Sequence, residues 1–71
     1  MFSSKALQDE TTPLERAQEF KESGNTAYKI GKSRWNDAII YYTQAIEEEC
    51  EDVKLNSQLY ANRAQVHLSL G

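Results

Sequence analysis

Apolar residues recur along this chain at intervals of three and four, in three runs parted by short polar breaks. Such spacing places one buried stripe on each of three helices. The first run is Leu14, Ala17, Phe20, Gly24, Ala27 and Tyr28, and it predicts a helix over residues 13–30. Its start is marked by TTPLERA. Thr12 suits the N-cap, Pro13 the first helical position and Glu15 the third, which together make a capping box. Gly31 suits the C-terminal cap. The second run is Trp35, Ala38, Ile39, Tyr42, Ala45 and Ile46, closed by Glu49, and it predicts a helix over 35–49 with Ser33 or Asn36 as cap. Ile40 and Tyr41 fall outside this stripe and point to a second contact surface. A third helix is predicted over 53–70, with Leu59, Tyr60, Ala64, His67 and Leu68 on one face and Val66 and Leu70 beside it. Between the second and third helices lies EEECED, residues 47–52. Acids at a helix C-terminus oppose its dipole, so a fraying, solvated loop is expected there.

Short connections between three helices imply antiparallel neighbours and an all-α fold. Residues 1–11 are polar and aperiodic and read as a flexible leader, leaving 12–71 as the folded part. With 71 residues the chain is one small domain or a piece of one. A chain of this size buries only about 60% of its unfolded surface and is marginal alone. The third helix has the composition of a packed helix, yet no further helix follows to cover its far side.

Charge and composition narrow the function. A net charge of −3 lacks the basic field that nucleic acid or an acidic membrane surface requires. No apolar run approaches the roughly 20 residues of a membrane helix, and the start has no secretory signal pattern. A single cysteine, Cys50, allows no internal disulfide and is expected in a reducing compartment, cytoplasm or nucleus. His67, the one histidine, has no partner at metal-ligand spacing, and Cys50 among acids is disfavoured as a thiolate. The acidic run lacks the glycine turn and ligand alternation of a calcium loop. With no nucleophile–base pair, metal set or phosphate loop, no enzyme and no cofactor is expected.

The first two helices resemble a tetratricopeptide repeat, whose signature runs W-x2-L-G-x2-Y, then A-x3-F, then P. Phe20 takes the first aromatic place, Gly24 the glycine, Ala38 the alanine, Tyr42 the second aromatic and Ala45 a further small position. Ser23 and Ala27 replace the leucine and tyrosine, and Cys50 stands where proline is usual. In the third helix Tyr60, Ala64 and Gly71 match the aromatic, small and turn places of a second repeat. The resemblance covers 13–71, one and a half repeats of an α-solenoid. It implies that these residues pack repeat against repeat, and that the small residue at Gly24 lets paired helices approach closely, facing Ala38 or its neighbours.

FKESGN and LYANRA are further similar to the carboxylate-clamp co-chaperones within that family. Those proteins bind the acidic C-terminal Glu-Glu-Val-Asp tail of the seventy- and ninety-kilodalton heat-shock chaperones. CEDVKLNSQLYANRA is most similar to the group typified by tetratricopeptide repeat protein 4 and its yeast counterpart. The resemblance implies that Lys21, Asn25 and Asn62 grip the terminal aspartate, a lysine supplying charge and two amides supplying directional donors. The subclass adds a lysine and an arginine from a third repeat, so the clamp is incomplete here. Tyr28 and Lys29 lie at the groove periphery, Tyr28 for packing and Lys29 as an attraction for acidic peptide. Asn62 serves either as ligand or as a bridge between backbone groups of the repeat. Arg63 is expected to be structural, pairing with the acidic loop, and Trp35 to anchor packing. The alternative function is structural: a repeat fragment that forms a homodimer to cover Leu59, Val66, Leu68 and Leu70 of its third helix.

Overall fold

The computed structural model describes residues 11–71. The expected leader lies, except for Thr11, outside the described residues. Three helices make up the fold: α1 (Pro13–Ile30), α2 (Trp35–Glu47) and α3 (Val53–Leu70), with a 3-10 turn at Lys32–Arg34 between the first two. The capping box that opens α1 is formed. The Thr12 hydroxyl accepts from the Glu15 N–H at 3.1 Å, and the Glu15 carboxylate accepts from the Thr12 N–H at 3.0 Å. Gly31 ends the helix at φ 133°, a left-handed backbone that a side chain would strain.

α2 packs against both other helices, while α1 and α3 meet along a narrower seam. Small residues make the approach of α1 and α2 close: Ala17, Ala38 and Ala45 are all fully buried. Tyr42 is 2% exposed and lies over Gly24. Trp35 stacks on Tyr28 with ring centroids 5.2 Å apart, and its indole N–H donates to the Tyr28 carbonyl at 3.1 Å. Contacts therefore run from Tyr28–Trp35 at one end to Arg16–Glu48 at the other, the pattern of an antiparallel pair. Leu55, Leu59 and Val66 complete the core from α3.

Five expectations require correction. α2 ends at Glu47, not Glu49. The Glu48 and Glu49 amides turn back to Ala45 and Ile46 carbonyls, and Glu49 takes φ 54°, which reverses the chain and carries Cys50 into the core. Neither Ser33 nor Asn36 caps α2. The 3-10 turn runs directly into it and already satisfies its first amide, with Trp35 N–H on the Lys32 carbonyl and, before it, Arg34 N–H on the Gly31 carbonyl at 2.8 Å. The EEECED segment is pinned rather than fraying. Glu48 accepts from Arg16 at 2.9 Å, the Cys50 carbonyl accepts from Asn56 Nδ2 at 2.8 Å, and Asp52 caps α3 by accepting from Leu55 N–H at 2.9 Å. The inner face of α3 is Leu55, Leu59 and Val66. Tyr60, Ala64, His67 and Leu68 are exposed, because their stripe points away from α2, and neither Tyr60 nor Ala64 belongs to the buried core. Arg63 donates to the Thr43 hydroxyl at 3.2 Å and covers the Tyr60 ring, out of reach of the acidic loop.

Candidate functional site

Two hydrogen bonds cross from α1 to α3. The Lys21 ammonium donates to Gln58 Oε1 at 3.2 Å, and the Tyr28 and Ser69 hydroxyls share a bond of 2.8 Å. Both ties ascend in chain order on the two helices, so α1 and α3 run parallel, side by side. Lys21, Asn25 and Tyr28 recur at i, i+4 and i+7 on α1, one stripe of that helix. Gln58, Asn62 and Ser69 likewise share a stripe of α3, and Asn62 falls between the two ties. Lys21 and Asn25 on α1, and Asn62 on α3, thus lie along the stretch where the two ties join these helices. Lys29 is exposed beside it and has no partner among the described residues.

The three polar groups are held differently. Lys21 is half-buried and tied by its ammonium to Gln58, an exposed partner that solvent or a ligand can replace. Asn25 is half-buried, and its Oδ1 accepts a hydrogen bond from the buried Tyr42 hydroxyl. A carboxamide whose oxygen is engaged presents its NH2 on the other side, as a donor pair. Burial, and then the neighbouring Tyr28, push the Tyr42 hydroxyl above its usual 10.0, so it stays a neutral donor. Asn62 is half-buried and makes no side-chain hydrogen bond to any described residue. A charge and two amides along this stretch can bind a carboxylate.

Packing residues of the repeat pattern lie behind this stretch. Ala38, Tyr42 and Ala45 are buried, and Phe20 is half-buried against the same core. Gly24 faces Tyr42 one turn beyond Ala38: a Cβ at Gly24 would lie 2.6 Å from Tyr42 Cε1. That tyrosine is one residue role the sequence reading missed, since its hydroxyl partner on another helix leaves no local trace. Gln58 and Ser69 were also missed, although their shared stripe with Asn62 was a readable signal.

An open cleft of about 650 Å³ lies on the opposite side of α1, lined by Glu19, Glu22, Arg34, Asp37 and Tyr41 among others. Arg34 is paired with Asp37, so Glu19 and Glu22 are, among the described residues, the unpaired charges there and disfavour an acidic ligand. Among the described residues no group of three His, Cys, Asp or Glu side chains is placed to hold a metal ion, and no helix is long and apolar enough to cross a membrane.

No family model matches the chain, and no solved structure matches it significantly. Curated proteins do. The chain is 44% identical over 66 residues, 93% of its length, to the tetratricopeptide repeat protein 4 homolog of Dictyostelium discoideum. It is 46% identical over 66 residues, again 93% of its length, to the Hsp70/Hsp90 co-chaperone CNS1 of Saccharomyces cerevisiae. It is 36% identical over 63 residues, 89% of its length, to human tetratricopeptide repeat protein 4. The chain spans 17%, 17% and 16% of the lengths of these relatives. Over about nine-tenths of its length the chain is thus similar to one segment of these proteins, and its fold is an all-helical, tetratricopeptide-repeat-like fragment.

Proposed function

We propose that the groove between α1 and α3 is a non-enzymatic binding site for the free C-terminal carboxylate of an acidic peptide. The peptide is the Glu-Glu-Val-Asp tail of a seventy- or ninety-kilodalton heat-shock chaperone, met in the cytoplasm or nucleus. The observation that supports this reading is that Lys21 and Asn25 share one face of α1, Lys21 tied to Gln58 of α3 and the Asn25 oxygen engaged by Tyr42. Relatives named as Hsp70/Hsp90 co-chaperones support the partner. Lys21 leaves Gln58 to meet the carboxylate, while the Asn25 and Asn62 amides donate to it.

Titration with a peptide ending Met-Glu-Glu-Val-Asp, beside the same peptide amidated at its C-terminus, tests this. The free acid binds and the amide does not. Lys21→Glu weakens binding at least about tenfold, since a charge-assisted hydrogen bond of roughly 1.5–3 kcal/mol is replaced by repulsion. Equal binding of acid and amide, or an unaffected Lys21→Glu protein, would show that the carboxylate is not the recognised group.

A second reading is favoured by the open face of α3, where Tyr60 is 52% and Leu68 76% exposed. Two copies pairing through this face would cover it. Sedimentation across a range of concentrations decides: a constant monomer mass refutes self-association.

A further inference from the structure

We infer that Tyr42 is a positioning residue for ligand binding: its buried hydroxyl sets the orientation of the Asn25 carboxamide so that the NH2 is presented to the groove. The inference rests on the proposed carboxylate site and adds to it the device that makes Asn25 a donor. An exposed asparagine side chain turns freely about its last torsion and offers oxygen or nitrogen with similar ease. An oxygen turned toward a carboxylate repels it. Tyr42 removes that freedom. It lies on α2, and its ring is fixed in place: it is 2% exposed, it lies over Gly24, and it belongs to the central core. Its hydroxyl reaches α1 and donates to Asn25 Oδ1. Asn25 has no other side-chain hydrogen bond to a described residue, so its Nδ2 is left for a ligand. A residue with no access to the peptide thereby fixes which atom the peptide meets.

The test compares Tyr42→Phe, Asn25→Ala, Asn25→Asp and the Tyr42→Phe/Asn25→Ala pair, each titrated with the free-acid Met-Glu-Glu-Val-Asp peptide. Side-chain amide NMR of Asn25 in the unliganded protein is read alongside. Tyr42→Phe keeps the ring and its packing, and is expected to weaken binding about three- to tenfold, the scale of one hydrogen bond. The Asn25 NH2 resonances are expected to lose their distinct shifts and become mobile. The double variant should bind no more weakly than Asn25→Ala alone, because the hydroxyl acts only through that amide. Asn25→Asp retains an acceptor for Tyr42 but loses the donor pair, so it should keep its melting temperature and lose binding even if Tyr42→Phe folds poorly. If Asn25→Ala loses binding while Tyr42→Phe changes neither affinity nor the amide resonances, the positioning role is overturned and the carboxylate site stands. If Lys21→Glu and Asn25→Ala both bind as the parent does, the site itself is overturned and the positioning role goes with it. A parent chain that binds no peptide likewise overturns the site, and rigid amide resonances that loosen in Tyr42→Phe would then restrict Tyr42 to a structural tie.

Discussion

Replacing Gly24 by alanine sets two effects of opposite sign against each other. In a helix interior the change should stabilise by about 1 kcal/mol, because glycine is the poorer helix former. In this fold the new methyl would meet Tyr42 Cε1 at 2.6 Å, Cδ1 at 2.8 Å and Cζ at 2.9 Å. Carbon atoms do not approach so closely, so either the ring or the helix must move. The ring cannot swing out cheaply: it is 2% exposed and its hydroxyl is tied to Asn25. Overpacking of a filled core costs roughly 1–3 kcal/mol, and three simultaneous ring contacts put this site at the upper end. The net expectation is a loss of about 1–2 kcal/mol, or roughly 5–15 °C in melting temperature for a domain this small. Helical circular dichroism during thermal and urea unfolding measures it. Ser23→Ala is the control, since Ser23 is exposed on the same helix and should gain only propensity. Gly24→Ala melting at or above the parent would refute the close-packing account, because propensity alone would then explain the position. A further check is Tyr42→Leu combined with Gly24→Ala: removing the ring should remove most of the penalty, and simple additivity would count against the contact.

Other outcomes follow from the same geometry. Thr12→Ala removes one half of the capping box and should lower stability by about 1 kcal/mol, read from the urea midpoint. Gln58→Glu places a carboxylate within reach of Lys21 and should compete with the peptide, weakening binding several-fold and flattening its salt dependence, whereas Gln58→Ala frees the ammonium and should leave affinity near the parent's. Stability should also fall at high pH through Tyr42. Its folded pKa lies above the 10.0 of the unfolded chain, so between the two the unfolded state has lost the proton while the folded state retains it, and unfolding gains as pH rises past about 10.0. Comparing urea midpoints of the parent and Tyr42→Phe between pH 9 and 11 isolates this part, roughly, from the titration of lysines.

The start of α1 was legible because a capping box is local: Thr12, Pro13 and Glu15 lie within four residues and need no partner from elsewhere. The all-α class was legible from periodicity for the same reason. The end of α2 was not. Acidic composition pointed to fraying, but Arg16, 32 residues from Glu48, and Asn56, from the first turn of α3, hold the segment, and a left-handed Glu49 turns it inward. α3 carries two apolar stripes that periodicity cannot rank. Leu55, Leu59 and Val66 face inward because α2 packs there, while Tyr60 and Leu68 remain outside. Of the candidate site, Lys21 and Asn25 could be placed on one face by their spacing of four. Where Asn62 lies relative to them depends on the parallel run of α1 and α3, which follows from both helices packing on α2 and not from any spacing along the chain.

Gly24, Tyr42 and Asn25 join the scaffold to the site, and this has a consequence for how variants should behave. The absent side chain at Gly24 admits the Tyr42 ring, and the seated ring carries its hydroxyl to Asn25. A perturbation that shifts the ring should therefore weaken ligand binding as well as the fold. One that loosens the fold elsewhere should reduce only the folded fraction. Gly24→Ala and Thr12→Ala provide the comparison, since both are expected to destabilise by on the order of 1 kcal/mol. Under conditions where both remain folded, Thr12→Ala should bind the free-acid peptide as the parent does, and Gly24→Ala should bind it several-fold more weakly. Calorimetric titration at low temperature reads the difference. Equal affinities for the two would mean that the ring can shift without disturbing Asn25, and that the glycine serves helix packing alone.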